Sequence, residues 1–218
     1  AMHNTAIIEQ TGNANEMLIN IDGFATVNNI VKQTQTGNLN TGAITVNQNA
    51  RANDVLVTQI GDWHDSVVTV SGLMSYFNDI DVVQQGGQDN SSKIVLINSH
   101  GSGPADPDTL GTPQTISVTQ SGSLNTSDIA LTDSYHNDIS VTQSGTMNDA
   151  SIKLMTSHSN VITWNQVGFN HGVSAAPGID LTDCHGNEIN VNQLAFTPTT
   201  LTQIKRVGTL DSVINVNH

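Results

Sequence analysis

Three aspartates, Asp54, Asp79 and Asp138, each follow an asparagine directly, and three histidines, His136, His158 and His185, each precede an asparagine by one or two residues, with Cys184 beside the last. Carboxylates gathered on one surface are what a glycoside hydrolase needs, and such a column could also bind Ca²⁺ weakly. Two imidazoles and a thiolate could ligate Zn²⁺ or Cu²⁺. Both patterns are incomplete. The G-G-x-G-x-D repeat that builds calcium β-rolls is missing, and the spacing of His136, His158, Cys184 and His185 is loose for a metal site. A polysaccharide lyase would want an Arg or Lys base beside acidic Ca²⁺ ligands, yet Arg51 and Arg206 lie near opposite ends of the chain. No nucleophile motif, phosphate loop or dinucleotide fingerprint occurs. The aspartates therefore read as solvated turn residues, and the expectation is no catalytic residue, no metal and no cofactor.

What must position all of these residues is a repeat. From Asn137 the segment NDISVTQSGTMNDASIKL places Ile139, Val141, Gln143 and Gly145 two apart, then Asn148, then Ala150, Ile152 and Leu154 two apart. The same template starts at 4, 29, 53, 78, 114, 137, 160 and 187, at intervals of 25, 24, 25, 36, 23, 23 and 27 residues. A period of this length signals a stacked architecture. The excess in the fourth interval falls in GSGPADPDTLGTP, Gly101 to Pro113, whose Gly and Pro density marks an excursion loop between two repeats.

Alternation of period two is the strand signal, because successive side chains on a strand face opposite ways. Ile, Val and Leu then face inward, while Thr58, Thr69, Thr119, Ser140 and Thr142 face out. No segment sustains a 3.6-residue period. The reading is an all-β chain, one parallel β-solenoid domain over residues 1–218, with about eight rungs of two strands each. At about 4.8 Å between neighbouring strands the rod would be roughly 38 Å long. The stretch from Phe196 fits the template only in part, although Ser212, Ile214 and Val216 resemble its second strand.

Amides recur where each rung turns. They are Asn4, Gln10 and Asn15; Asn29, Gln35 and Asn40; Asn53 and Gln59; Asn78 and Gln84; Gln120 and Asn125; Asn137, Gln143 and Asn148; Asn160 and Gln166; Asn187 and Gln193. A corner leaves backbone N–H and C=O groups outside the ladder, and an amide supplies both donor and acceptor to satisfy them and its stacked neighbours. Glycine two residues after the glutamine permits a bend at positive φ. His64 and His171 stand where other rungs have asparagine and read as corner substitutions, and Trp164 replaces an inward valine.

Composition agrees with this reading. Asn and Thr number about 25 each, charged residues are 11% and aromatics 4%. Six Lys and Arg against 19 Asp and Glu give a net charge of −13, which repels nucleic acid and acidic lipid. The longest aliphatic run, Ile94 to Ile97, is far short of a transmembrane segment. Cys184 has no intrachain cysteine to pair with.

The runs TQSGSLNTSDI (119–129) and TQSGTMNDASI (142–152) resemble the curlin repeat of curli-type bacterial functional amyloid. The chain departs from that pattern systematically. Where the curlin repeat carries a second glutamine it has Ile21, Val46, Val70, Leu96, Leu131, Leu154 and Leu181. The resemblance implies a secreted, divergent subunit that self-assembles into extracellular fibres of biofilm matrix, with a nucleating subunit and a secretion pore as partners. The ends agree with such assembly. The first template begins at Asn4 and the last strand runs from Val213 to Val216, so Ile8, Val213 and Val216 are expected to meet another copy. The alternatives are a secreted β-helix carbohydrate-active enzyme and a glycan-binding adhesin using Trp63, Trp164 or Tyr135.

Overall fold

A computed structural model describes residues 3–22, 26–47, 50–70, 78–97, 114–135, 138–158, 161–169, 180–183, 188–193, 205–207 and 213–217. Every regular element among them is a strand, and they follow in pairs. The first rung is β1 (Thr5–Thr11) and β2 (Glu16–Ile21), the second β3 (Ile30–Thr36) and β4 (Thr41–Val46), the third β5 (Asp54–Asp62) and β6 (Asp65–Val70). Next come β7 (Asn78–Gln88) with β8 (Ser91–Leu96), β9 (Gln114–Ser123) with β10 (Thr126–Tyr135), and β11 (Asp138–Thr146) with β12 (Asp149–His158). The chain continues through β13 (Val161–Phe169), β14 (Asp180–Thr182), β15 (Glu188–Gln193), β16 (Lys205–Val207) and β17 (Val213–Asn217).

Odd-numbered strands form one sheet in the order β1-β3-β5-β7-β9-β11-β13-β15-β17, and even-numbered strands form the other. Neighbours within each sheet are parallel and stack like on like: Ile139 lies between Ile116 and Ile162, and Gln143 between Gln120 and Gln166. This is a parallel β-solenoid. About five turns are described with the inward side chains of both strands. The pairing differs from a count of eight rungs, because β17 adds a ninth strand to the first sheet. Ile214 and Val216 thus belong to a first strand, not a second one: they stack on Ile189 and Val191. Lys205–Val207 takes the place in the second sheet, beside Asp180–Thr182. Gly101–Pro113 lies outside the described residues. Across it β9 resumes in register with β7, Ile80 opposite Ile116.

The two sheets enclose a narrow core. Val31, Val55, Ile80, Ile116, Ile139 and Ile162 form one buried column, Val57, Val82, Val118, Val141 and Trp164 a second, and Ile44, Val68, Ile94 and Ile129 a third on the facing sheet. Burial of each isoleucine is worth about 2–3 kcal/mol. β-branched side chains fill nearly all of these inward apolar positions, in keeping with the few aromatics. Ile152 and Leu154 keep the strand register, Ile152 opposite Ile129 and Leu154 opposite Leu181.

Candidate functional site: amide ladders and an open edge

The corner between the strands of a rung is short and chemically repetitive. It spans 12–15, 37–40, 122–125 and 145–148, each beginning with glycine and ending with asparagine, and 61–64, which ends with His64. Gly37 has φ +125°, and a Cβ added there would overlap the carbonyl oxygen of Gly61 one rung on. In the fourth rung the corner is one residue longer. Gly86 and Gly87 both adopt positive φ there and the register shifts, so the late Asn90 still reaches its place.

Three ladders of side-chain amides run along the axis. In the glutamine ladder Gln10 Nε2 donates to Gln35 Oε1 (3.3 Å), Gln35 to Gln59 (2.7 Å), Gln59 to Gln84 (2.9 Å), Gln84 to Gln120 (2.9 Å), Gln120 to Gln143 (2.8 Å) and Gln143 to Gln166 (3.1 Å). Donation always runs forward along the chain. The asparagine ladder at the rung starts runs the other way: the Nδ2 groups of Asn29, Asn53 and Asn78 donate to Oδ1 of Asn4, Asn29 and Asn53 at 3.1, 2.9 and 2.7 Å. Their backbone N–H groups donate to the same oxygens.

The corner asparagines also donate backward, Asn40 N–H to Asn15 Oδ1 (3.0 Å) and Asn125 and Asn148 to Asn90 and Asn125. Their Nδ2 groups additionally bond carbonyls of the next glycine, as Asn40 does to Gly61 (2.8 Å) and Asn90 to Gly122 (2.8 Å). His64 occupies this ladder, fully buried. The rung-start ladder stops at Asn78, whose Oδ1 is buried without a partner, where the next rung opens with Gln114.

Other residues singled out in the sequence are placed as follows. Asn137, Asn160, Asn187, His136, His171, Cys184 and His185 lie outside the described residues, and of Gln193 and His158 only the strand pairing is described, opposite Gln166 and Tyr135. Asp54 pairs with Asp79, but Thr115 separates Asp79 from Asp138. Burial, reinforced by Asp79, pushes the Asp54 carboxyl up, and burial with Asp79 and Asp54 does the same to Asp81, which sequence reasoning missed. Among the described residues no three His, Cys, Asp or Glu side chains are placed to hold a metal ion. No helix there is long and apolar enough to cross a membrane. Trp164 is buried and Trp63 is 54% exposed.

A second feature escaped the sequence reading. The residue before each corner amide is left-handed and not glycine: Ala14, Leu39, Trp63, Asp89, Leu124 and Met147 have φ between 53° and 63°. The only available signal is that a turn ending in an inward asparagine requires a left-handed residue ahead of it; side-chain type gives none.

The first rung differs from the described rungs behind it. Ala6, Ile8 and Gln10 hold the positions of buried Val31, Gln33 and Gln35, yet β1 is exposed throughout and Ile8 is 50% exposed. Thr5 N–H donates to Asn29 C=O, so alternation directs the N–H groups of Ala6, Ile8 and Gln10 to the outer edge. On the outward face Lys32 holds Glu9 at 3.1 Å, and that hydrogen bond and charge keep the Glu9 carboxyl below its ordinary range. Such an edge offers a row of unpaired backbone groups and an apolar strip to a similar strand. Comparison with family models, with curated proteins and with solved structures gave no match.

Proposed function

We propose that this chain is a structural subunit of a self-assembling extracellular fibre, a secreted curli-like functional amyloid of biofilm matrix, and not an enzyme. Its eight two-strand rungs and β17 form one rod, and rods join end to end as a homopolymer. The observation that carries this reading is the exposed β1 edge, whose inward residues match a core one rung away.

Ladder direction supports a head-to-tail joint. At β1 the glutamine ladder ends in an acceptor, Gln10 Oε1, and the asparagine ladders end in the backbone donors of Asn4 and Asn15. Two such edges facing each other would oppose acceptor to acceptor. A rung added in the direction of the existing stack continues all three. Keeping the observed register sets Ala6 of one copy over Ile214 of the next and Ile8 over Val216. This contact is heterologous and does not close, so it yields filaments. A nucleating subunit and a secretion pore are the partners that the curlin resemblance supplies.

The test is proline at the edges. By the alternation above, Ile8→Pro and Val213→Pro each remove an N–H that faces away from the neighbouring strand, which spares the internal ladder. Both variants should keep the β circular dichroism signal and form short fibres or none by electron microscopy. Fibres of undiminished length from both would overturn the proposal. The exposed Trp63 favours a second reading, a glycan-binding adhesin, for which Trp63→Ala would abolish sedimentation with an insoluble polysaccharide and leave fibres intact.

A further inference from the structure

His64 replaces an asparagine without breaking the corner ladder, and the way it does so depends on its proton. Its backbone N–H donates to Asn40 Oδ1 at 2.9 Å, as any residue at this position would. The ring does the rest. Nε2 lies 3.2 Å from the Ile60 carbonyl oxygen, which can only accept, so Nε2 carries the hydrogen. Nδ1 is then the bare acceptor, and both the backbone N–H and Nδ2 of Asn90 approach it at 3.4 Å. Nδ1 stands in for the amide oxygen and Nε2–H for the amide nitrogen. Gly61 supplies the room, since a Cβ there would come within 2.5 Å of Nε2.

We propose that His64 is a proton-operated break in the corner ladder. Protonating Nδ1 converts the acceptor that holds Asn90 into a donor facing two donors, and it places a charge on a buried ring. An asparagine cannot be switched in this way. The charged groups facing the ring are Asp62 from its own corner and Asp89 from the next rung; the preceding rung presents the neutral Asn38 and Asn40. Both carboxylates favour the imidazolium, but Asp89 is exposed and Asp62 partly so, and burial of the ring outweighs them.

The sign of the effect follows. Burial holds the imidazole below its ordinary value of about 6.5, so the unfolded chain takes up the proton first. Stability from this corner is complete above that value and is lost as pH falls below it, by up to about tenfold in the folding constant per pH unit. The break opens between the third and fourth rungs, where Asp65 N–H also donates to Asn90 C=O.

The experiment compares the wild type with His64→Asn, which restores the amide ladder, as freshly prepared monomer between pH 7.5 and 5. Unfolding midpoints should diverge as pH falls, with the wild type losing stability and the variant keeping more of it, and the protection factor of the Asn90 amide should fall more steeply in the wild type. Parallel pH profiles would overturn the proposal. Should the variant fail to fold, nitrogen NMR of the wild-type ring decides: a neutral Nε2–H tautomer titrating below the free imidazole supports it, and an Nδ1–H tautomer or an unshifted titration sinks it. None of these readouts depends on fibre formation.

Discussion

The two corners of each rung obey different rules. Among the described residues the corner after an odd-numbered strand spends four residues, five in the fourth rung, and repeats its chemistry from rung to rung, with His64 for asparagine in the third. The stretches that follow the even-numbered strands, 22–29, 47–53, 71–77, 97–113 and 136–137, range in length from two to seventeen residues. Hydrogen bonding is the cause. The first corner carries two ladders that bond the rungs before and behind, so a change in length moves donors away from acceptors on both sides. The second corner carries the Asn4–Asn29–Asn53–Asn78 ladder through the first four rungs, and the longest stretch, 97–113, follows the rung at whose start that ladder stops. Length is free where no side chain has to meet its copy.

The largest test of this contrast sets one methyl group against a deletion. Gly37→Ala forces a Cβ onto the Gly61 carbonyl at φ +125° and should cost more than about 4 kcal/mol or abolish folding. Cutting the 36-residue interval between Asn78 and Gln114 back to 25 within Gly101–Pro113 should change the urea midpoint little, because β7 and β9 already pair in register. A tolerated alanine at Gly37 beside a damaging excision would reverse the assignment of the rigid corner.

A smaller loss is expected within the rigid corner. Asn125→Ala removes the side-chain bonds to Asn90, Ser121 and Gly145 and leaves the Asn148 backbone N–H without its acceptor, while Asn90 Oδ1 keeps the backbone N–H of residue 125 and Asn148 Nδ2 keeps the Ser144 carbonyl. An unsatisfied buried group of this kind costs about 1–3 kcal/mol, and a net loss of about 2 kcal/mol is expected. Leu124→Ala, exposed at the neighbouring position, should lose less than about 1 kcal/mol in the same denaturation assay. Equal losses would mean that the ladder contributes no more than surface packing.

Most of this architecture was legible in the sequence because period-two alternation and a period of about 24 residues act together: each Ile or Val in Asp138–Thr146 announces its facing and its stacking partner at once. The direction of the ladders was not legible, since Asn and Gln are both donor and acceptor and only geometry selects which way each donates. The carboxylate column was half legible. Adjacency to a rung asparagine placed Asp54 beside Asp79, but the intervening rung carries Thr115, and Asp81 joins from two residues along the same strand. The end of the chain misled for a physical reason: first and second strands share the same alternation, and without a corner amide Ile214 and Val216 fit either sheet.

The smallest expected effect concerns a place where one rung departs from its neighbours in both strands at once. Gln33 stands in the column of Val57, Val82 and Val118, fully buried, with Oε1 and Nε2 both unpartnered. Across the core Gly42 stands in the column of Ser66, Ser92 and Ser127, and a Cβ there would overlap Gln33 Nε2. The two exceptions explain each other: the longer side chain fits because its opposite number has none. Gln33→Val should stabilise by about 1–2 kcal/mol, the relief of a buried amide less the space left beside Gly42. Gly42→Ala alone should destabilise through overlap, whereas in the Gln33→Val background it fills that space without adding another buried hydroxyl. The coupling between the two sites should be about 1–3 kcal/mol and favourable in the double variant. Urea denaturation of the four proteins measures it. Additive effects would mean that Gln33 and Gly42 do not share one volume, and that the second rung tolerates its buried amide for a reason unrelated to the missing side chain opposite.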